Sequence, residues 1–543
     1  MDEAGYDFVI VGAGSAGCVL ANRLTASGRY SVLLLEAGGR DNWIWFHIPV
    51  GYLYAMGNPR ADWCYRTDPI PGLNGRALAY PRGRVIGGSS AINGMIYMRG
   101  QAADYDHWRQ LGNPGWSWDD VLPYFKQSER HHGVPNPFHG RSGEWRVEKM
   151  RHSWAVLDRF RDAAVEHGIP ATEDFNTGGN EGVGYFEVNQ RRGVRWSSAS
   201  AFLKPALRRP NLTTWTGAQA RRLLIEAGRI AGIELQHEGR LKQVRAGREV
   251  VLSAGAVNSP QLLELSGIGD PGRLAALGIH VVAAVPEVGE NLQDHLQLRM
   301  IYKIAGLPTL NVSAARFAGR AGMALTYALR RRGPLTMAPS QMGGFTRSSP
   351  SFETPNLQFH VQPLSLEKFG EPLHPFPAFT ATVCNLRPES RGHIHIASAD
   401  PQVAPSIQPN YLAAKADRDV AVTAMRLVRR IVLESTAFRP YSPEEFKPGP
   451  STASDSDLER AAGDIGTTIF HPVGTCRMGS DDRAVVDPRL RLRALPGLRI
   501  ADASIMPSIT SGNTNSPTIM IAEKAAAMIL EDAQGQAGQS ARY

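Results

Sequence analysis

The first 36 residues contain the pattern that most constrains how this chain can fold. A short apolar run, 7–11, precedes a turn with three glycines, and a helical stretch and a second apolar run follow, ending at Glu36. Strand, glycine-rich turn, helix, strand and acid, in this order and spacing, are typical of a Rossmann-like domain that binds a dinucleotide. We expect Glu36 to accept hydrogen bonds from the ribose of an adenosine.

Each glycine of the turn has its own physical role. Gly12 permits the tight turn, Gly14 lets the backbone approach a pyrophosphate, and Gly17 lets the helix pack closely on the strand. The helix that begins near Ser15 and Ala16 offers free N–H groups and the positive end of its dipole to phosphates. The sequence therefore predicts a dinucleotide at the start of this helix.

The length and composition fit a globular protein of more than one domain. The chain has 543 residues, 43% hydrophobic and 20% charged, and its length predicts two to four domains. The net charge of +8 is spread along the chain, and the densest basic run, 330–332, lacks the interleaved aromatic residues of a nucleic-acid surface. We expect no nucleic-acid partner, although the basic surplus can attract anionic substrates or lipid headgroups.

The cysteines and the termini bear on location. The four cysteines are far apart without a C-x-x-C spacing, which argues against a zinc site or a disulfide scaffold and favours a reducing compartment. The first residues do not resemble a signal peptide, and no apolar run reaches the 18 residues that a membrane span needs. We expect a cytoplasmic protein with at most peripheral contact at the inner face of a membrane.

The histidine pairs of the sequence do not predict a metal site. His393 and His395 fall on one face of a predicted strand, but no third ligand stands nearby in the sequence. The adjacent residues His131 and His132 are expected to face apart. We therefore predict no bound metal.

A second glycine-rich segment, 81–94, has paired glycines, paired serines and then an apolar run. This pattern indicates a loop that leads into a helix, and N–H groups freed near Gly88 can face a phosphate or a flavin ring. A simple glycine turn capped by a serine fits the same residues. The residues alone do not separate the two interpretations.

The last hundred residues contain the most reactive side chain. His471 stands immediately before Pro472, which disfavours helix and keeps His471 extended. A lone histidine in an apolar context is usually structural, so its role depends on its neighbours.

Two further features lie near the carboxyl end of the chain. The predicted strand 498–501 ends at Asp502, which is suited to bind sugar or ribityl hydroxyls at the carboxyl edge of a sheet. The segment 512–517 leads into an apolar helix from Thr518, with Ser516 as a fair cap. The start of that helix would present positive potential to a reduced flavin, and plain capping of a core helix is the alternative.

Two long segments resemble the signatures of the glucose-methanol-choline (GMC) oxidoreductase family. The segment 81–94, with Gly100 and Asp106 at the expected distances after it, resembles the first signature, and 255–269 resembles the second. In the second segment the residues predict a helix with Ser259 as its cap and Pro260 at its first position. Together with the nucleotide motif and the C-terminal pattern, the resemblance covers the chain from end to end. The overall pattern is most similar to the choline and aliphatic-alcohol dehydrogenase branch.

The resemblance implies an α/β FAD-binding domain of Rossmann-like topology interleaved with an α+β substrate domain built on an antiparallel sheet. The implied FAD-binding domain is discontinuous and comprises 1–150, 190–297 and 465–543, and the substrate domain comprises 151–189 and 298–464. Independently of the resemblance, alternating runs such as 357–361 predict half-buried strands in the second domain.

The resemblance also implies site residues. His471 takes the role of the first catalytic residue and Asn515 that of the second, with Asn513 as the competitor, because alignment on the run into Thr518 favours Asn515. The substrate candidates are His360 and Gln362, with Trp63 as a further aromatic candidate. The residues expected to bind FAD are Gly12, Gly14, Ser15, Ala16, Gly17, Glu36, Ala37, Val85, Gly88, Asn93, Gly94, Met95, Ala220, Asp502, Ala503, Pro517 and Thr518.

The cofactor and the reaction follow from the same resemblance. Members that bind FAD covalently do so through a histidine just before the asparagine of the first signature, and this position is Ile92 here, which predicts non-covalent FAD. The implied reaction is oxidation of a primary alcohol to the aldehyde, with hydride transfer to flavin N5, His471 as base and a quinone or another carrier as electron acceptor. An alcohol oxidase that reduces O₂ to H₂O₂ and a redox-neutral hydroxynitrile lyase are the alternatives.

Overall fold

The computed structural model describes residues 5–368 and 370–540, with side chains through 535. In chain order the strands are β1 (Gly5–Val11), β2 (Val32–Glu36), β3 (Tyr65–Arg66), β4 (Ala79–Tyr80), β5 (Glu129–His131), β6 (Trp145–Lys149), β7 (Gly182–Tyr185), β8 (Glu187–Val188), β9 (Gln190–Arg191), β10 (Val194–Arg195), β11 (Leu212–Thr216), β12 (Gln219–Glu226), β13 (Arg229–His237), β14 (Arg240–Leu252), β15 (Ile268–Gly269), β16 (Ala283–Ala284), β17 (Leu296–Lys303), β18 (Met342–Thr346), β19 (Leu357–Gln362), β20 (Ala378–Asn385), β21 (His393–His395), β22 (Ser406–Gln408), β23 (Glu444–Lys447), β24 (Gly466–Thr468) and β25 (Leu498–Ile500).

The α-helices are α1 (Ser15–Thr25), α2 (Tyr52–Ala55), α3 (Ala102–Gln110), α4 (Trp118–Ser128), α5 (Ala155–Glu166), α6 (Lys204–Ala206), α7 (Gly255–Leu265), α8 (Pro271–Ala276), α9 (Leu310–Ala315), α10 (Phe317–Arg330), α11 (Lys415–Arg429), α12 (Asp455–Ile465) and α13 (Asn515–Ser540).

The first large sheet is built around the N-terminal strand. Its order is β11-β2-β1-β14-β13-β12, and β25 pairs with the end of β14. Strands β11, β2, β1, β14 and β25 run parallel, whereas β12, β13 and β14 form antiparallel hairpins. Every residue of β2 is buried, as expected for a parallel strand covered by helices on both faces. The predicted strand, turn, helix and strand are confirmed.

The second large sheet is antiparallel, with the order β23-β17-β20-β19-β18-β7, and β24 pairs with β17. Along β19 the apolar residues Leu357, Phe359 and Val361 join a core that includes helices α5 and α11. The alternate residues, among them His360 and Gln362, are also buried and line a cleft. The predicted alternation is therefore present, with both faces of the strand covered.

The strands of the two sheets fall largely within the two expected domains. All strands of the first sheet lie in the segments proposed for the FAD-binding domain. In the second sheet, β17 begins at Leu296 and β24 spans 466–468, so the chain leaves this sheet slightly later than the proposed boundary at 465. Residues 1–4, 369 and 541–543 of these segments lie outside the described residues.

Two helices begin earlier than the sequence predicts. Helix α7 begins at Gly255, so Pro260 lies inside it and the Ser259 hydroxyl donates to Asp502 instead of capping the helix. Helix α13 begins at Asn515 and not at Thr518. Among the helices of the described residues, none combines the length and the apolar character needed to cross a bilayer.

Candidate active site

A cleft of about 290 Å³ lies where residues of the first sheet meet residues of the second. Both candidate catalytic residues, His471 and Asn515, line it, together with His360, Gln362 and Trp63. Most residues expected to bind FAD also line it: Gly12, Gly14, Ser15, Ala16, Glu36, Ala37, Gly88, Asn93, Gly94, Met95, Ala220, Asp502, Ala503 and Thr518. The structure thus brings residues from both ends of the chain to one cavity.

Three residues expected to bind FAD do not line the cleft. Gly17 faces the strand, because a Cβ atom there would lie 1.9 Å from the carbonyl oxygen of Gly12, which is the close helix–strand packing predicted for it. Val85 is fully buried in a small apolar cluster. Pro517 lies in the first turn of α13. For these three residues contact with FAD stays a prediction.

The glycine turn forms a cradle at the start of α1. Gly12 has a φ of +98°, and a Cβ atom there would lie 2.6 Å from the carbonyl oxygen of Ser253. The first backbone hydrogen bond of the helix runs from the Cys18 N–H to the Gly14 carbonyl, and the helix has no side-chain cap. The N–H groups of residues 15–17 are therefore left as donors at the positive end of the helix dipole.

The second glycine-rich segment packs against the first. A Cβ atom on Gly88, whose φ is +51°, would lie 2.6 Å from the Cα atom of Gly14. The segment continues as a single 3₁₀ turn at Gly88–Ala91 and not as the longer helix of the first of its two interpretations. Conversely, the protein leaves ordinary van der Waals room for a side chain at Gly14. The open side of Gly14 is therefore available for the close approach of a ligand.

Two buried carboxylates border the cleft. Glu36 accepts from the N–H groups of Ala13 (3.0 Å) and Gly38 (2.7 Å), one on each oxygen, so each oxygen can accept one more hydrogen bond. Burial raises the pKa of Glu36. Asp502 accepts from Gly255, from the Ser259 hydroxyl and from the N–H of residue 504, at 2.6–2.9 Å. Asp502 therefore links the start of α7 to the end of β25, whereas the Glu36 carboxylate has more capacity left to accept hydrogen bonds from a ligand.

The backbone of His471 is held by a buried aspartate. The His471 N–H donates to Asp294 Oδ1 at 2.8 Å, and Oδ2 of the same carboxylate accepts from the hydroxyls of Tyr80, Tyr411 and Thr468 at 2.5–2.8 Å. Because three hydroxyls and one amide converge on this carboxylate, the loop that carries the histidine is fixed before any ligand binds.

The imidazole of His471 belongs to a chain of hydrogen bonds that assigns its tautomer. His295 Nε2 lies 3.1 Å from the Leu386 carbonyl, which can only accept, so Nε2 carries the proton. Nδ1 of neutral His295 is then an acceptor, and His471 Nδ1, at 3.1 Å, must donate to it. The second nitrogen of His471, Nε2, is therefore left with a lone pair, and it accepts from Asn513 Nδ2 at 3.1 Å. The network thus leaves a free base atom at the cleft.

The partner of His471 differs from the one that the sequence favoured. Asn513 contacts the imidazole, and its own Oδ1 accepts from Gln358 Nε2 at 3.4 Å. Asn515, the favoured candidate, is the first residue of α13, and its Oδ1 instead accepts from the Ser15 hydroxyl at 2.7 Å. The expected pairing of His471 with Asn515 is therefore corrected to His471 with Asn513. The helix starts at Asn515, so that side chain points to α1.

Burial keeps these imidazoles neutral. It lowers the pKa of His295 to about 4 and that of His360 to about 3. Burial also holds the pKa of His471 well below its ordinary value, and the nearby histidines and Arg82 add to the effect. All three rings are therefore uncharged at neutral pH, and His471 can act as a proton acceptor without first losing a proton.

The donor set fits a bound FAD. Several buried polar atoms that line the cleft have no partner within the protein, namely both ring nitrogens of His360, Oε1 of Gln362 and Nδ2 of Asn515. Such buried atoms are expected to bond to a ligand or to water. Together with the N–H donors at the start of α1, the room at Gly14 and the acceptor oxygens of Glu36, they match the phosphates, ribose and ring of a flavin dinucleotide.

The sequence interpretation missed the residues that support His471. Asp294 and His295 are adjacent, buried, and directly precede β17. An Asp-His pair at the start of an apolar strand is the signal that could have indicated them. Arg82 was also missed: it donates to the carbonyl of Phe470, which has a φ of +70°.

Two histidine clusters outside the cleft differ from their sequence interpretation. His131 and His132 do not face apart, because their rings stack 4.6 Å apart and both Nε2 atoms lie 2.7–2.8 Å from Glu187 Oε1. The Gly133 N–H donates to Nδ1 of His131 at 3.1 Å. In the neutral ring the proton is then on Nε2, which makes this nitrogen a donor to the carboxylate and not a metal ligand.

The second cluster consists of His393, His395 and Glu290. Glu290 is the third group beside the two histidines, and the sequence did not reveal it. His395 bridges Glu264 and Glu290 at 2.9 Å each, and these carboxylates raise its pKa. The guanidinium of Arg273 also lies within 3.5 Å of both carboxylates. The cluster is therefore satisfied as an ion-pair network.

Family models describe most of the chain. A model with the description "GMC oxidoreductase" matches residues 6–297, and a second model with the same description matches residues 388–522. The two segments carry both glycine-rich turns, Glu36, and the loops of His471 and Asn513.

Relatives and solved structures agree over nearly the full length. The chain is 41% identical to alcohol dehydrogenase [acceptor] of Pseudomonas putida, covering 97% of this chain and 96% of the relative. It is 40% identical to the mitochondrial choline dehydrogenase of Homo sapiens, covering 96% and 89%. The crystal structure of pyridoxine 4-oxidase from Mesorbium loti superposes with a TM-score of 0.87 at 32% identity, covering 96% and 98%. A formate oxidase of Aspergillus oryzae superposes with a TM-score of 0.91 at 26% identity, covering 98% and 100%.

Proposed function

Because the chain belongs to the GMC oxidoreductase family, whose members bind FAD, we propose that it oxidises a primary alcohol to the aldehyde with Nε2 of His471 as the proton acceptor. The relatives in the comparison are alcohol and choline dehydrogenases. Family membership by itself supports the coarser statement that the chain is an FAD-dependent oxidoreductase related to these enzymes.

One observation carries the proposal: the hydrogen bonds that run from the Leu386 carbonyl through His295 leave a lone pair on Nε2 of His471. The substrate hydroxyl would take the place that Asn513 Nδ2 now occupies against this nitrogen, donating to Nε2 and accepting from the amide. The hydroxyl proton then passes to Nε2, and the amide stabilises the developing alkoxide.

The bound FAD supplies the acceptor for the hydride that leaves the carbinol carbon. The residues proposed to hold it are those of the cradle: Glu36 at the ribose and the start of α1, with Ser15 and Ala16, at the phosphates. Ile92 lines the cleft where covalent members have a histidine. Its aliphatic side chain offers no atom that can bond to the ring, so we propose that the FAD is dissociable.

The polar face of β19 is proposed to contact the substrate. His360 and Gln362 place unpartnered buried atoms in the cleft, and Pro339 and Ser340 line it from the segment that precedes β18. His360 and Gln362 are neutral, and the two carboxylates among the described residues that line the cleft, Glu36 and Asp502, belong to the residues proposed to bind FAD. A neutral alcohol fits this lining better than a quaternary ammonium ion.

The electron acceptor separates the proposal from its rivals. A quinone or a soluble carrier is the first candidate, since the Pseudomonas putida relative is named for an acceptor. An oxidase that releases H₂O₂ is the second, since two of the similar solved structures are oxidases. A hydroxynitrile lyase would use the same base without changing the redox state of the flavin.

The test is anaerobic titration of the purified protein with a panel of alcohols, followed by absorbance. Bleaching of the flavin by a primary alcohol, with slow reoxidation in air and fast turnover with a quinone dye, is the expected result. Stoichiometric H₂O₂ in air would assign an oxidase, and cleavage of a cyanohydrin without bleaching would assign a lyase.

Variants of the site test the assignment of roles. His471→Ala should lower kcat at least about a hundredfold, the usual scale of general base catalysis. Asn513→Ala should lower kcat more than Asn515→Ala, and FAD content should be unchanged in Asn513→Ala. Normal turnover of FAD-loaded His471→Ala would remove the proposed base, and a larger effect at Asn515 would restore the original assignment.

A further inference from the structure

The surface of helix α10 is unusual because its solvent-facing side is the apolar one. Phe317, Leu325 and Leu329 are 81%, 60% and 74% exposed. With 100° per residue they fall, together with Ala321, within one arc of about 120°. Tyr327, the buried residue of this helix, lies on the opposite side, where it donates to the Gly193 carbonyl. We call the arc of these four residues the outer face of α10.

The charges around the outer face have one sign. Arg316, Arg320 and Arg330 are exposed and lie outside this arc, on the remaining part of the helix circumference, and Arg331 and Arg332 follow directly. Between residues 295 and 352 the sequence contains no aspartate or glutamate. In the part of the chain that the structure describes, Arg316, Arg320 and Arg330 form no ion pair.

We propose that the outer face of α10 is a docking surface for an anionic lipid bilayer. An exposed apolar face, on a helix whose polar positions include exposed arginines and no acidic residue, is the pattern of a helix that lies in the plane of a membrane interface. The arginines would reach the phosphate headgroups while the apolar side chains enter the acyl boundary. A protein partner would need carboxylates to match this charge, whereas an anionic bilayer supplies it at every position.

The length of the helix sets its orientation. Helix α10 has 14 residues, or about 21 Å at a rise of about 1.5 Å per residue, which is shorter than a hydrocarbon core of about 30 Å. It can therefore lie on a bilayer but not cross it. The short helix α9 immediately before it adds Val312, which is 52% exposed.

The position of the helix connects the membrane to the cleft. The chain turns at Pro334–Thr336 after α10 and then supplies Pro339 and Ser340 to the wall of the cleft. The Gln190 side chain donates to the Thr336 carbonyl at 2.8 Å, which ties this turn to the rest of the fold. Docking through α10 would thus place one wall of the cleft beside the lipid. This inference does not depend on the proposed chemistry, because its readout is binding.

The experiment is flotation of the full-length, FAD-loaded protein with phosphatidylcholine vesicles that contain about one-third phosphatidylglycerol, compared with pure phosphatidylcholine. The protein should float with the anionic vesicles and be released by salt. The variant Phe317→Ser/Leu325→Ser/Leu329→Ser should bind at least about tenfold more weakly. Arg316→Gln/Arg320→Gln/Arg330→Gln should lose the preference for anionic lipid.

A matched control removes three exposed apolar residues from other elements, as Val134→Ser/Leu207→Ser/Leu241→Ser. It should bind like the unmodified chain. Thermal unfolding of every variant should be unchanged, since the replaced side chains are exposed.

Three results of the flotation experiment would overturn the proposal. They are failure of the unmodified protein to float with anionic vesicles, unchanged binding after the apolar triple substitution, and equal binding to neutral vesicles. A dimer seen by sedimentation velocity without lipid, and abolished by the same triple substitution, would assign the outer face to a second copy and would also overturn it.

Discussion

At the scale of single residues, the proposed reactivity of His471 depends on atoms that no local pattern reveals. Its N–H is held by Asp294 and its ring by His295. The first contact fixes the loop, and the second decides which ring nitrogen carries a proton. A histidine in the same loop without these two neighbours would present either nitrogen to a ligand.

Replacing His295 should therefore reduce turnover without removing the base. In His295→Phe the N–H at Nδ1 of His471 loses its acceptor, and an unpaired buried N–H costs about 1–3 kcal/mol. The tautomer with the proton on Nε2 then becomes populated, so kcat should fall about tenfold or more with a smaller change in KM. Steady-state kinetics of the FAD-loaded variant measures this. His295→Gln retains an acceptor oxygen and should recover part of the loss, and an unchanged kcat in His295→Phe would contradict the assigned tautomer.

The pH dependence of kcat/KM should show an acid limb below the ordinary histidine pKa of about 6.5. The base must be unprotonated, and burial together with the nearby Arg82 guanidinium lowers the pKa of His471. Activity should therefore persist as the pH falls below this value. In Arg82→Gln one positive neighbour is removed, so the limb should move to higher pH. A limb at or above the ordinary value in the unmodified enzyme would contradict a buried neutral base.

At the scale of elements, two glycine-rich turns from different parts of the sequence pack against each other and form the floor of the cleft. Their contact places the Cα of Gly14 against Gly88, with no room for a Cβ atom on the second glycine. The cradle is thus a property of the pair of turns and not of the first turn alone.

The variant Gly88→Ala should consequently lose FAD more readily than a glycine replacement elsewhere. Its new methyl group would lie 2.6 Å from a backbone atom, so the two turns must separate. Gly28→Ala is the matched control, because Gly28 also has a positive φ, of +72°, but no atom within 4 Å of the added Cβ. The FAD content after gel filtration and the unfolding temperature of both variants should be compared. Equal FAD retention would show that the contact is dispensable.

The elements that could be predicted are those encoded by local patterns. The strand, turn, helix and strand of the N-terminus follow from apolar runs and glycines, and β19 follows from its alternation. The starts of α7 and α13 could not be predicted, because neither serine chosen as a cap acts as one. The Ser259 hydroxyl donates to Asp502, and the buried Ser516 hydroxyl has no partner among the described residues.

The candidate site was predictable to the level of its segments but not of its contacts. The loops of His471 and 512–517 were identified from their residues, yet Asn513 and Asn515 are two positions apart in the same loop. Which of them meets the imidazole depends on where α13 begins and on Gln358 of the second sheet. Such a choice is made by tertiary packing, which the local sequence does not encode.

At the scale of the whole molecule, three neutral histidines are buried together at the region where the two sheets meet: His295, His360 and His471. In the unfolded chain each has an ordinary pKa of about 6.5. Unfolding below this value therefore takes up protons that the folded protein excludes.

The free energy of unfolding of the apoprotein should fall as the pH is lowered from 7 to 5. The folded-state pKa values are depressed, to about 3 for His360 and about 4 for His295. The stability that these neutral rings contribute is therefore fully present above the unfolded-state pKa and is lost as the pH falls towards the folded-state pKa values. Each proton contributes a slope of about 1.4 kcal/mol per pH unit. Urea unfolding at several pH values measures the slope, which should be shallower by about one proton in His360→Gln. An identical slope in this variant would mean that the ring is charged in the fold.

The bond between the Ser15 hydroxyl and Asn515 joins residues 500 positions apart, and the ion pair between Arg23 and Glu523 repeats this closure. On the ribosome the nascent chain can form its first strand and helix early, but the groove above them stays open until the final helix emerges from the exit tunnel. We therefore expect the flavin to be inserted after the last helix has been synthesised, and a chain truncated before that helix to retain no FAD.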